Sequence, residues 1–93
     1  MYTCTFVKYL WKDIDKKRLY RTLEKQIILP FIPSIGIEIG EGEWFSGKIE
    51  RVVWDNTKSL FTIKVMDVVP KDGLSAELLI DVATKQGWQI REQ

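Results

Sequence analysis

WFSGKIERVVWDNTKSLFTIKVMDV, residues 44–68, contains two β-rich runs joined by a short polar connection at residues 55–59. In the second run, Phe61, Ile63 and Val65 alternate with more polar neighbours. This two-residue period is typical of a half-buried strand. The stretch therefore predicts a β-hairpin with one face in a hydrophobic core.

The length of the connection sets the register of this hairpin. A five-residue loop at residues 55–59 places Ile49 opposite Val65 and Glu50 opposite Lys64. We prefer it to a four-residue loop because opposite charges paired across two strands stabilise a sheet by roughly 0.2–1 kcal/mol. The remaining predicted pairs are Val53 with Phe61 and Trp54 with Leu60.

The first thirty residues predict a second pair of strands. Residues 2–12 are rich in Thr, Val, Phe, Tyr and Trp, with apolar side chains on both faces, which is typical of a strand covered on two sides. Residues 18–29 fit a strand or a helix. We favour the strand, paired with residues 2–12, because a helix would hold Lys16, Lys17 and Arg18 at the positive end of its dipole.

Two prolines follow this hairpin. Pro30 and Pro33 lack backbone donors and hold the chain extended, so they belong at a sheet edge or a crossing. We expect Phe31 and Ile32, between them, to enter the core. Residues 35–39 alternate Ile with other residues and predict a short strand.

Residues 74–86 predict the one helix of the chain. Ser75 is a suitable N-cap, and Gly87 stands where a left-handed residue ends a helix. Trp88 follows and is expected to pack back on the helix. The predicted buried stripe consists of Leu78, Leu79, Val82 and Ala83.

These elements define one domain, residues 1–93, of the α+β class and mostly β. We expect a strongly bent antiparallel sheet of about five strands, partly closed as a barrel, with the helix packed on Phe61, Ile63 and Val65. The order of strands followed by a short helix resembles small SH3-like or OB-like barrels. Such folds host many unrelated functions, so the resemblance implies a fold and no activity.

Composition narrows the setting of the protein. The 93 residues carry a net charge of +1, one Cys and no His. An intramolecular disulfide is therefore impossible, and no run reaches the roughly 18 apolar residues of a membrane span. The N-terminal residues lack the pattern of a signal peptide. We expect a cytoplasmic protein with no membrane association.

The residue content argues against an enzyme. Without His the chain lacks the usual general base and the usual metal ligand, and Cys4 lies in a hydrophobic strand with no His to activate it. Glu38, Glu41 and Glu43 cluster near a glycine turn, which is typical of solvated acids. We expect no catalytic residue, metal or cofactor, and rank a carboxylate-based hydrolase third among the functions.

The favoured function is a non-catalytic protein–protein interaction module. Trp and Tyr are enriched at interfaces, and Trp11, Trp44 and Trp54 are more than a small core readily buries. A basic hairpin tip adds charge for an acidic partner. The tip residues are Lys16, Lys17 and Arg18. The alternative is a nucleic-acid-associated small β-barrel in which the tip and nearby aromatic residues bind a single strand.

Self-association is also predicted. Residues 18–29 end in three large aliphatic residues just before Pro30, and an uncovered strand edge of this kind is a template for pairing. Pro30 and Pro33 block open-ended stacking, whereas a closed two-fold contact uses the same patch on both chains. We therefore expect a homodimer through residues 5–12 and 23–32, with Ile28 in the contact.

Overall fold

The computed structural model describes residues 1–40, 47–70 and 73–91. Within these ranges the chain is mostly β with a C-terminal helix, as predicted, and the segment predicted as a strand or a helix is a strand from residue 19 to residue 29. The elements in chain order are β1 (Tyr2–Trp11), β2 (Leu19–Leu29), β3 (Glu38–Ile39), β4 (Gly47–Asp55), β5 (Leu60–Val65), α1 (Ala76–Lys85) and β6 (Gln89–Arg91).

The strands form a curled sheet in the order β3-β4-β5-β1-β2-β6, which closes into a half-barrel. One feature differs from the predicted antiparallel sheet, because β1 and β5 run parallel, with pairs from Cys4–Phe61 to Val7–Lys64. The sheet is therefore mixed. Two antiparallel hairpins, β1–β2 and β4–β5, lie side by side and share this central parallel pair.

The β4–β5 turn is one residue shorter than predicted. Asp55 pairs with Leu60 and Trp54 with Phe61, so the loop is residues 56–59. The Asp55 carboxylate accepts hydrogen bonds from the backbone N–H groups of Thr57 and Lys58, at 3.0 and 3.1 Å. Ser59 adopts a left-handed φ of 54°. Together these features close a tight turn without glycine.

A β-bulge in β4 corrects the register further along the hairpin. Glu50 is the extra residue, so Ile49 still pairs with Val65 as predicted, while Arg51 pairs with Lys64. The predicted contact of Glu50 with Lys64 also forms, as an ion pair of 3.1 Å from the bulge. The predicted pairs Val53–Phe61 and Trp54–Leu60 are wrong, since they lie on the turn side of the bulge.

The caps of α1 are those that the sequence predicts. Ser75 Oγ accepts the backbone N–H of Leu78 at 3.3 Å. At the other end Gly87 has a φ of 93°, and the N–H of Trp88 donates to the Ala83 carbonyl at 3.0 Å. This is the hydrogen-bond pattern of a Schellman motif, and it brings the Trp88 ring into the core.

The buried stripe of α1 is rotated from the predicted one. Ala76, Leu79 and Ala83 are buried, whereas Leu78 is 48% exposed. The spacing of three and four residues places the first three on one face, and Leu78 lies outside it. They pack with Ile63, Val65 and other residues of the sheet in one core.

The segment after β2 does not bury the two residues that the sequence predicts to enter the core. Phe31 and Ile32 are exposed, and Pro33 is buried instead. Gly36 N–H donates to the Ile49 carbonyl at 2.9 Å, and this bond ties the segment to the backbone of β4. Pro33 has no N–H, so its burial leaves no donor without a partner.

Two adjacent leucines of α1 test the position of the buried stripe. Leu79 is fully buried, so Leu79→Ala should lower the unfolding free energy of the protein by about 2–5 kcal/mol. Leu78→Ala is the matched control in the same helical turn and should cost less than about 1 kcal/mol. Urea titrations of both variants measure the difference, and equal losses would contradict the packing.

Candidate functional site

An aromatic row crosses three neighbouring strands on the sheet face that carries the core. Trp54 of β4 packs edge-on against Phe61 of β5, with ring centroids 5.2 Å apart, and Phe61 packs in the same way on Tyr2 of β1 at 6.1 Å. Phe61 and Tyr2 are half-buried, but Trp54 is 52% exposed. Its indole N–H donates to Asn56 Oδ1 at 3.3 Å. Trp54 is thus exposed and held in one orientation.

The outer edge of β4 is open beside Trp54. The short strand β3 pairs only with Gly47 and Lys48, and Ile49 bonds to the segment that precedes β3. From Arg51 to Asp55, no backbone hydrogen bond joins β4 to any described residue on the side away from β5. This five-residue stretch therefore presents backbone donors and acceptors to solvent.

A groove lies on the opposite face of the same sheet. Its volume is about 160 Å³. Strand alternation places Arg51 and Val53 on this face, away from Val52 and Trp54. The groove is lined by Val7, Tyr9, Arg51, Val53, Thr62, Lys64 and Arg91. The open edge of β4 thus separates an aromatic row on one face from a basic groove on the other.

Two of the basic groove residues have acidic partners. Lys64 Nζ lies 4.7 Å from the centroid of the Tyr9 ring and donates to Asp67 and Glu50. Arg91 Nε lies 3.7 Å from a carboxylate oxygen of Glu24. The Arg91 contact is too long for a good hydrogen bond and leaves most of the guanidinium donors available to another group.

Asp67 holds the end of the sheet together. Its Oδ2 accepts the indole N–H of Trp11 at 2.9 Å and lies 3.2 Å from Lys16 Nζ, while its Oδ1 accepts from Lys64 Nζ. Burial alone would raise the pKa of Asp67, but the hydrogen bonds from Lys64, Trp11 and Lys16 together hold this pKa below its ordinary value of 3.8. Trp11, predicted as an interface residue, is half-buried and has a structural partner.

The basic hairpin tip is largely neutralised by neighbouring acids. Arg18 donates two hydrogen bonds to Asp13, at 2.9 and 2.8 Å, and they lower the pKa of this carboxyl group below its ordinary value. Lys17 Nζ lies 3.5 Å from an oxygen of Asp15. Lys12 contacts Glu77 of α1, and Lys16 contacts Asp67.

A wide, open cleft of about 790 Å³ lies between this tip and Pro70. Four of its charged lining residues pair with each other, and the fifth, Lys12, pairs with Glu77; the four are Asp13, Asp15, Lys17 and Arg18. The paired charges of the tip leave little net charge to attract an anion.

The other predicted residues divide into three groups. Trp44, Glu41 and Glu43 lie outside the described residues. Ile28 is 58% exposed on β2, at a part of the strand that β6 does not cover. Cys4 is buried, and its burial raises the pKa of the thiol.

Sequence reasoning missed the basic groove. Regular alternation along this run predicts Arg51 on the same face as Ile49, because the bulge at Glu50 leaves no signal in the sequence. Arg91 reaches the groove through the pairing of β6 with β2, which joins residues nearly seventy positions apart. Tyr9 was recognised only as a strand residue. The exposed arginine within a β-rich run was the one available signal.

Comparison with protein-family models, with curated proteins and with solved structures found no significant match for this chain. No helix in the described ranges combines the length and apolar character needed to cross a lipid bilayer.

The contacts of Asp67 predict a specific pH dependence. Because its pKa is lowered by folding, the charged carboxylate stabilises the protein above pH 3.8, and this contribution is lost as the pH falls below that value. Asp67→Asn should lower the unfolding free energy at pH 7. At pH 3 the difference in unfolding free energy between this variant and the unmodified protein should be smaller.

Urea titrations at the two pH values measure this effect. Asp81→Asn, at an exposed position on α1, is the matched control and should behave like the unmodified protein at both pH values. An equal loss for Asp67→Asn at pH 7 and pH 3 would show that the charge of Asp67 contributes nothing to stability.

Proposed function

We propose that this chain is a non-catalytic protein-binding module that takes an extended segment of its partner along residues 51–55 of β4. The observation that carries the proposal is Trp54, which is 52% exposed beside an open strand edge. A partner segment added there would gain backbone hydrogen bonds from the edge and a side-chain contact with the indole.

Trp54 has the properties of an interface anchor. Its contact with Phe61 and its hydrogen bond to Asn56 fix the ring before any partner arrives. Binding then requires little loss of side-chain freedom, which is an advantage of preorganised surfaces. Tryptophan is also among the residues that contribute most to protein interfaces.

The length of the open edge suits one short segment. The bulge at Glu50 ends the regular part of β4 on one side, and the turn at Asn56 ends it on the other. Charged side chains and bulges limit the stacking of sheets edge to edge. Glu50 and Arg51 supply such charges, so the edge favours a single added strand over open-ended aggregation.

The nucleic-acid alternative has weaker support. It requires the basic tip to contact phosphates, but Lys12, Lys16, Lys17 and Arg18 each have an acidic partner within the described residues.

The buried Cys4, the single cysteine of the chain, is consistent with a reducing compartment, so we place the module in the cytoplasm.

Selection of random peptides from a display library tests the proposed binding edge. We expect the selected peptides to slow amide hydrogen exchange at residues 51–55. Trp54→Ala should weaken peptide binding about thirtyfold or more, because anchor residues contribute 2 kcal/mol or more. The unfolding free energy should fall by only about 1 kcal/mol, since the lost contact is a single aromatic pair.

Phe31→Ala is the control for this experiment, because Phe31 is an exposed aromatic residue outside β4. It should leave peptide affinity unchanged. Peptides that slow exchange only on other strands, or that bind Trp54→Ala with full affinity, would refute the proposed binding edge.

A homodimer through β2 is a further part of the proposal. β6 covers only residues 22–24, which leaves residues 26–29 without a described strand on the side away from β1. β1 lies between β2 and β5, so residues 5–12 contribute no open edge to a dimer. The proposed contact is therefore carried by β2 and by the exposed Ile28.

Sedimentation equilibrium measures the oligomeric state. We expect about twice the chain mass of 10.9 kDa at tens of micromolar protein. Ile28→Lys should restore the monomer mass without unfolding, because a charge on each copy would face its equivalent across the two-fold axis. Ile14→Lys, at an exposed position on the hairpin tip, is the control and should remain dimeric. A single monomeric species for the unmodified protein would exclude the dimer.

A further inference from the structure

The structure also indicates which partner segment the open edge would select. We propose that the segment carries an aspartate or glutamate that pairs with Arg51 at the β4 end of the basic groove, next in sequence to an apolar residue that packs on Trp54. This inference rests on the proposed binding edge and adds the chemistry of its partner.

The alternation of β4 sets the pattern of the segment. Trp54 and Val52 lie on the core face of the sheet, while Arg51 and Val53 lie on the opposite face with the groove. Side chains of an added strand alternate between the same two faces, and each lies beside its neighbour on β4. Adjacent residues of the segment therefore meet two different environments, one aromatic and one basic.

The charge of the groove selects the end group of that side chain. Three of its seven described lining residues are cationic and none is acidic. Lys64 shares its charge with Asp67 and Glu50, so Arg51, which lies on the edge strand itself, provides the main attraction. Guanidinium groups bind carboxylates through paired hydrogen bonds, which also fixes the orientation of the bound group.

The peptides selected on the unmodified chain test this inference. We expect an acidic residue next to an aromatic or aliphatic residue in the selected sequences. With one such peptide, Arg51→Gln should lower affinity about tenfold, the loss expected for a charge-assisted hydrogen bond. Replacement of the peptide acid by its amide should lower affinity by the same factor. Arg91→Gln changes an arginine four strands away from β4 and should leave affinity unchanged.

A charge exchange provides the most specific measurement. The Arg51→Glu variant should not bind the acidic peptide. It should bind a peptide in which lysine replaces the acidic residue. Arg21→Gln, at an exposed arginine of β2 whose side chain lies on Tyr20, is the matched control and should keep full affinity. Thermal unfolding of each variant verifies that the fold is retained.

The outcomes separate this inference from the proposed function. Peptides that slow exchange at residues 51–55 but show no acidic preference, with Arg51→Gln binding at full affinity, would overturn the inference and leave the binding edge in place. The absence of any peptide bound along residues 51–55 would overturn both.

Discussion

The parallel pairing of β1 with β5 is the interaction on which the rest of the structure depends. It joins two hairpins that are separate in sequence and makes β1 an interior strand, with Phe6 buried on one face and Val7 on the other. Burial on both faces is typical of parallel strands. With β1 and β5 in the centre, β4 and β2 become the strands whose outer sides are only partly covered.

Local signals in the sequence predicted the elements well, and long-range pairing was beyond them. Period-two alternation, Ser75 and Gly87 identified strands and helix because each acts within a few residues. The direction of the β1–β5 pair depends on contacts more than fifty residues apart. The predicted register was wrong by one residue on the turn side of the bulge, because the Asp55 carboxylate closes a four-residue turn and Glu50 adds a residue to β4. The same distinction applies to the candidate site. The sequence predicted Trp54 as an interface residue, but it did not predict the basic groove, which depends on long-range strand pairing.

Two lysines, Lys25 and Lys8, contribute to the packing of the helix on the sheet. Lys25 Nζ donates to the Gln86 carbonyl at 2.6 Å, at the C-terminus of α1, where a cation complements the helix dipole. Lys8 is only 1% exposed, and its Nζ lies 5.9 Å from the centroid of the Trp88 ring. These side chains fasten the end of the helix to the sheet, as Asp67 fastens the hairpin tip.

The bulge at Glu50 has a consequence for how related sequences compare. Before it, the odd-numbered residues Gly47 and Ile49 lie on the core face of the sheet, and after it the even-numbered Val52 and Trp54 do. One residue thus sets the parity of the whole outer half of β4. A relative that lacks this residue would keep its tryptophan and arginine on their present faces, because Ile49 and Arg51 already oppose neighbouring residues of β5. A relative of the same length with a regular strand would instead turn its tryptophan to the other face and its arginine to the core face. An alignment would then record no gap, although the two surfaces had exchanged places.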